Sequence, residues 1–230
     1  GVFSKQHPND GTIYGENNED TPELLLNISS YLLKRGEEEL ALRLMRYLVE
    51  CSRRRAGEGS PQHREIVTSI ALALDTKYPQ FRYDICAAEN EKFVPEPNYE
   101  YTVEDSDFYW ALGLAAVSLE KNEEAYEAFD KSYGICQKLL GEDNWFTQLV
   151  CRERAVLAIM LGKNIKENVD KLRIFLEKLQ NGKFSEIMDG KLALIYEAKT
   201  LYVILWFAVE GDECRECKPY LDRYGELCDE

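Results

Sequence analysis

Histidine is nearly missing from this sequence: His7 and His63 are the only two in 230 residues. Neither has a second histidine at helical spacing, so no His-pair metal motif is offered, and neither stands in a recognisable nucleophile motif. His63 reads as a residue flanking the first turn of a helix. Long apolar runs are missing too. The longest, residues 201–209, is about half of the roughly 18 residues a bilayer-spanning helix needs. No signal peptide is visible, and a start at Gly1 reads as trimmed or processed, so an upstream segment is left open. There is no glycine-rich phosphate loop and no nucleophile elbow, and an enzyme is not the expected class.

Positive charge is in deficit. Lys and Arg total 28 against 42 Asp and Glu, a net charge of -14. A surface this acidic repels phosphate, which argues against nucleic acid and anionic membrane as partners. The imbalance is local. Residues 84–130 carry 13 acids against Lys92 and Lys121, whereas residues 31–64 carry eight bases against five acids. Solvated helix faces account for this pattern, and an electrostatic guide for a basic partner is the sharper alternative. The run Arg53, Arg54, Arg55 suits the end of a helix, where positive charge complements the dipole.

Seven cysteines, at 51, 86, 136, 151, 214, 217 and 228, are scattered through apolar patterns. This usage fits a reducing, cytoplasmic setting with cysteine as a small core residue. Cys214 and Cys217 with Cys228 have a metal-like spacing, but a structural zinc site wants four ligands and only three are near. They read as helix-face cysteines, a redox pair lacks its βαβ context, and no metal or cofactor is expected.

What the chain does have is a repeat. Steps of 42 residues connect Ser29, Ala71, Gly113 and Ala155, all small. Three residues later come Leu32, Leu74, Ala116 and Ala158; four earlier come Leu25, Val67, Tyr109 and Cys151. One earlier come Ile28, Ile70, Leu112 and the exception, Arg154. Offsets of -4, -1, 0 and +3 share one helix face. The small residue lets a neighbouring helix approach closely. Second helices follow, with Ala41, Leu44, Met45 and Leu48 inward in one, and Ala125, Ala128, Phe129, Cys136 and Leu139 in another. Gly57 and Gly141 each close such a helix, and Gly36 and Gly162 fall in the turns within pairs. The second pair is irregular, with a helix over about residues 80–93 expected to point Phe81, Ile85, Ala88 and Phe93 inward, then a loop over residues 98–105. A long apolar helix over about residues 189–209 precedes a short polar one ending near Leu227. Residues 1–21 read as a mobile tail.

These residues resemble the tetratricopeptide repeat (TPR) family. Tyr109, Leu112, Gly113, Ala125 and Phe129 match its spacing of small, bulky and aromatic positions. Leu25, Ile28, Ser29, Gly36, Ala41 and Met45 match it again. The 42-residue period is similar to repeats of the kinesin-light-chain type, and the resemblance covers residues 21–179. Arg154, Tyr83 and Glu167 depart from it. The resemblance implies an all-α, right-handed α-solenoid of antiparallel helix pairs, with units near residues 22–61, 62–104, 105–144, 145–183 and 184–230. It also implies a concave groove for a partner peptide or helix, faced by Glu23, Leu26, Ser30, Asp107, Trp110, Leu114, Arg152 and Val156. Trp110 is either an anchor for that partner or a residue packed between units. The implied function is a protein-interaction scaffold. The alternative is a ligand- or peptide-sensing domain of a larger regulatory protein, against which the groove positions carry no asparagine series. A third option is a homodimer through the apolar last helix, with Tyr202, Trp206 and Phe207 on a wide apolar surface.

Overall fold

The computed structural model describes residues 21–74, 76–210 and 218–229. The expected tail and the Cys214–Cys217 pair lie outside the described residues. Among those described, the architecture is all-α, with ten helices and no strand. The chain divides into two compact units, Gly1–Glu120 and Lys121–Glu230.

The first unit holds α1 (Thr21–Lys34), α2 (Glu38–Ala56), α3 (Pro61–Ala73), α4 (Pro79–Lys92) and α5 (Val103–Val117). Helix α1 packs on α2 and α3, and α3 also meets α2, α4 and α5. Ser29, Ala71 and Gly113 are all buried, as close helix approach requires. The Ser29 hydroxyl donates to the Leu25 carbonyl at 2.7 Å, so a polar residue serves there without an orphaned group. Met45, Leu48, Ile70 and Leu74 form the centre of the core, with Leu25, Leu26, Ile66, Phe81 and Ile85 packed around them. Truncating one such buried aliphatic to alanine typically costs about 2–5 kcal/mol.

Local chemistry marks the helix ends. Ser60 caps α3 by accepting the His63 backbone N–H, with Pro61 next in the first turn. Thr102 and Asp105 form a capping box at the start of α5. Gly57 and Gly141, each just past the end of a second helix, have positive φ, as their shared period suggests. Gly59 is constrained twice. Its φ is +75°, and a Cβ there would stand 2.6 Å from the Lys92 carbonyl oxygen.

A buried cation organises the irregular stretch after α4. Arg64 is 3% exposed. Its guanidinium lies 3.9 Å from the ring centre of Phe93, 4.0 Å from that of Phe108 and 4.8 Å from that of Tyr109. Its Nη1 is 3.3 Å from Asp105 Oδ1. The other Asp105 oxygen accepts from Tyr99 Oη and the Thr102 N–H, each at 2.9 Å. Aromatic faces and one carboxylate therefore neutralise a charge that makes no hydrogen bond of its own.

The second unit holds α6 (Asn122–Leu140), α7 (Trp145–Met160), α8 (Ile165–Gln180), α9 (Gly190–Glu210) and α10 (Lys218–Asp229), each packed on the next. Ala155, the fourth small position, is fully buried beside Ile159, Leu172, Leu176, Leu201 and Ile204. Arg154, the polar exception, pairs with Asp130 and lies over Tyr126 and Tyr133 at 5.6 and 5.4 Å from their centres. Two rings and a carboxylate accept it where an apolar residue would otherwise sit. One further period beyond Ala155 stands Glu197, not a small residue. It is 5% exposed and is gripped by Arg223 Nε and Nη2 at 2.8 and 3.0 Å and by Gln180 at 2.8 Å. The repeat diverges there because a bidentate ion pair replaces close packing.

The remaining departures have one cause. The small first-helix position and the first buried second-helix position are 12 residues apart in Ser29 to Ala41 and Gly113 to Ala125. The interval is 11 from Ala71 to Arg82 and 13 from Ala155 to Asn168. Helix α4 thus buries Arg82, Cys86 and Glu89, and α8 buries Asn168, Leu172, Phe175 and Leu179. Tyr83 and Glu167 fall beside the buried stripe rather than on it. On the expected inward face of α4, Phe81 and Ile85 do pack against the core and Phe93 is half-buried, but Ala88 is exposed, and the innermost positions are largely polar. The Arg82 Nε–H donates to the Ala71 carbonyl at 2.9 Å, which satisfies it within the fold.

Candidate functional site: a cleft in the first unit

Helices α1, α2 and α3 enclose a cleft of about 820 Å³. Pro22, Glu23, Leu25 and Leu26 line it from α1; Tyr47, Leu48, Cys51, Ser52, Arg55 and Ala56 from α2; Gln62, Glu65, Ile66 and Ser69 from α3. The first turns of α1 and α3 and the last turns of α2 meet here, so the cleft lies at one end of these helices. Its floor is aliphatic and its rim is charged. Glu23 and Glu65 are 42 residues apart and hold the same place in successive first helices.

The rim charges are uncommitted. Arg53 and Arg54 both pair with Glu50, and Arg53 also reaches Glu58. Arg55, Glu23 and Glu65 make no ion pair among the described residues, and all three are exposed. Charged groups left with water keep their capacity to pair with an incoming ligand.

Behind the wall lies a buried polar relay. Ser52 Oγ is bonded to His63 Nδ1, His63 Nε2 is 3.6 Å from Glu89 Oε2, and that oxygen accepts the Gly59 N–H at 3.1 Å. All three side chains are at least nine-tenths buried. The order serine, histidine, carboxylate resembles a hydrolytic triad, but the chemistry differs. Burial pushes the His63 imidazole below its ordinary value and the Glu89 carboxyl above its own. A working triad needs an imidazole that readily takes a proton and a carboxylate that stabilises it. Ser52 also sits inside α2, where backbone N–H groups are spent on the helix and cannot hold an oxyanion. The relay ties α2, α3 and α4 together. Among the described residues, no group of three or more His, Cys, Asp or Glu is placed to hold a metal ion, and no helix is long and apolar enough to cross a membrane.

The residues expected at the groove are distributed unevenly. Glu23 and Leu26 line the cleft; Ser30, one turn on, is half-buried and outside its lining. Asp107, Trp110 and Leu114 lie on α5, all half-buried, and burial followed by the Glu104 charge pushes the Asp107 carboxyl up. In the second unit, Arg152 is 4% exposed, donates to Thr200 Oγ1 at 3.2 Å and lies over Tyr196. Val156 packs against the core around Ala155. Arg152 is committed inside its unit, and Val156 is half-buried against that core. The sequence pattern marks Arg55 only as part of a basic helix end and does not mark Ser52, Glu65, Ile66 or Glu89. Glu65 was available from the 42-residue step. Ser52 and Glu89 carry a fainter signal, as polar residues on otherwise buried helical stripes.

No protein-family model matches the sequence, and no curated protein matches it. Solved structures do. One is the crystal structure of the nearly identical TPR-like repeats assigned to a kinesin light chain of Podosopora anserina, with a TM-score of 0.63 and 12% identity over 92% of this chain and 96% of that one. A variant of the same repeats gives a TM-score of 0.62 and 13% identity over 91% and 96%. At such identity the likeness shows the fold: an all-α, TPR-like repeat solenoid.

Proposed function

We propose that this TPR-like chain is a protein-interaction scaffold that receives a peptide segment of a partner in the cleft between α1, α2 and α3. The observation that carries this reading is the cleft itself, an apolar floor of Leu25, Leu26, Leu48 and Ile66 beneath charges with no partner among the described residues. Such a surface combines desolvation with orientation, which is how peptide sites achieve both affinity and choice. No catalytic role is assigned, because the buried relay lacks the electrostatics of a nucleophile. The net charge of -14 argues against a phosphate-rich partner. Trp110 remains a candidate second anchor on α5.

The test is selection of a displayed random peptide library on the full chain, followed by titration of the selected peptides. Ile66→Glu places a charge on the floor and is expected to weaken binding at least tenfold; because Ile66 also packs against the core, circular dichroism and a thermal melt of the variant are measured beside it to separate lost binding from lost folding. Selected peptides that bind Ile66→Glu as well as the original chain would place the site elsewhere. A second reading has its own observation. Leu192, Ile195, Tyr202 and Trp206 are exposed along α9 at spacings of 3, 7 and 4, one helical stripe suited to a second copy of the chain. A dimer by light scattering that Trp206→Glu dissociates would support it; an unchanged mass would not.

A further inference from the structure

We infer that the cleft selects a partner segment of mixed charge, in which a basic side chain, preferably arginine, sits between Glu23 and Glu65 and an acidic one faces Arg55 across an aliphatic residue. This rests on the peptide-binding reading above and adds the chemistry of the occupant.

Three observations lead to it. Glu23 and Glu65 occupy equivalent places on α1 and α3, which are in direct contact. Neighbouring helices lie about 8–10 Å apart, so two carboxylates at one register can share a single guanidinium lodged between them. Arginine suits this better than lysine, because its planar fork reaches two acceptors at once. Second, Arg55 lines the same cleft from α2 and is the member of the Arg53–Arg55 run without a carboxylate partner among the described residues. Third, Leu26, Leu48 and Ile66 make the floor between these charges. Alternate side chains of an extended peptide face the same way, so residues i, i+2 and i+4 suffice to deliver base, aliphatic and acid.

Charge complementarity decides among occupants. A purely acidic peptide meets two carboxylates at the rim, and a purely basic one leaves Arg55 facing like charge. A second copy of this chain would have to bring a mixed-charge segment of its own. Opposing charges of this kind mainly set specificity and orientation, whereas the floor supplies the affinity.

The experiment is the same library selection carried out on three forms of the full chain: unchanged, Glu23→Gln with Glu65→Gln, and Arg55→Glu. On the unchanged chain, enriched sequences should place Arg or Lys two positions from an aliphatic residue and Asp or Glu two positions beyond it. The double glutamine form should lose the basic preference. Arg55→Glu should lose the acidic one or reverse it to basic. A synthetic peptide of the enriched sequence should bind each variant at least fivefold more weakly than the unchanged chain at 50 mM salt, with the gap closing at 500 mM. Enrichment of aliphatic residues without charge preference, or a preference that survives the variants, overturns this inference while leaving the peptide-binding reading standing. Peptides insensitive both to these variants and to Ile66→Glu overturn the two together, and so does a selection that enriches nothing.

Discussion

One buried charge in each unit, Arg64 in the first and Glu197 in the second, is held in an opposite way. In Gly1–Glu120, Arg64 is held by three aromatic faces and one carboxylate at 3.3 Å, and no nitrogen of its head makes a hydrogen bond. In Lys121–Glu230, Glu197 is held by a bidentate arginine and a glutamine amide, all at 3.0 Å or closer. The first arrangement depends on shape, because rings must stay packed for their faces to serve the cation. The second depends on pairing, and a single donor or acceptor can be altered without emptying the core. The difference teaches where each unit is vulnerable: the first to loss of volume and charge together, the second to loss of charge alone.

Removing the cation from the first unit is expected to have the largest effect. Arg64→Met keeps much of the stem but leaves Asp105 without its cation. Breaking a buried pair from one side costs about 3–5 kcal/mol. Asp105 retains Tyr99 and Thr102 as donors, which points to the lower end of that range. Hydrogen exchange should show the loss of protection in α3 and α5, and full protection there in the variant would refute the aromatic-cage account.

Glu197→Gln is the matching cut in the second unit, with an expected cost of about 1.5–3 kcal/mol, the value of hydrogen bonds to a charged group. Its pH dependence is the sharper measurement. The Arg223 bonds hold the Glu197 carboxyl below its ordinary 4.5. The contribution is therefore complete above about pH 4.5 and is lost as pH falls through the lower folded value. Urea titrations of both forms should show a constant gap between pH 7 and 5 that narrows under more acid conditions. A gap that widens on acidification would contradict the assigned pairing.

The smallest effect concerns His63. Burial lowers its folded value below 6.5, so the unfolded chain takes the proton first and stability declines as pH falls past 6.5. Glu58, Arg53 and Glu50 act on it from outside, and the upward-shifted Glu89 works in the opposite sense. In a Glu89→Gln background, where the amide oxygen still accepts from Gly59, the acid-side decline should stand out. His63→Gln should abolish it, and its persistence would assign the decline to another group.

Much of the fold is legible in the sequence, and the reason is specific. Ser29, Ala71, Gly113 and Ala155 recur at a fixed step because close approach of the first helices tolerates nothing larger. The second helices are less legible because a fixed step assumes equal spacing within each pair, whereas α4 and α8 slip by one residue in opposite directions. At the cleft, Glu23 and Leu26 follow from repeat position. Arg55 and Ser52 do not, since they come from the end of α2 and depend on which way that helix faces. Arg152 shows the limit of positional transfer: a long side chain at a nominal groove position can turn inward once Thr200 and Tyr196 offer it a seat.

The opposite slips of α4 and α8 work as a tolerance. The slip of α4 is absorbed before the following first helix begins, so the spacing of small residues from Ala71 to Gly113 is the same as from Ser29 to Ala71. A hairpin of this kind can gain or lose a residue without disturbing the beat of the stack. The consequence is a recoding of what a second helix hides: one step of rotation exchanges Tyr83, Ala87 and Asn90 for Arg82, Cys86 and Glu89, and the carboxylate beneath the cleft wall exists because of that rotation.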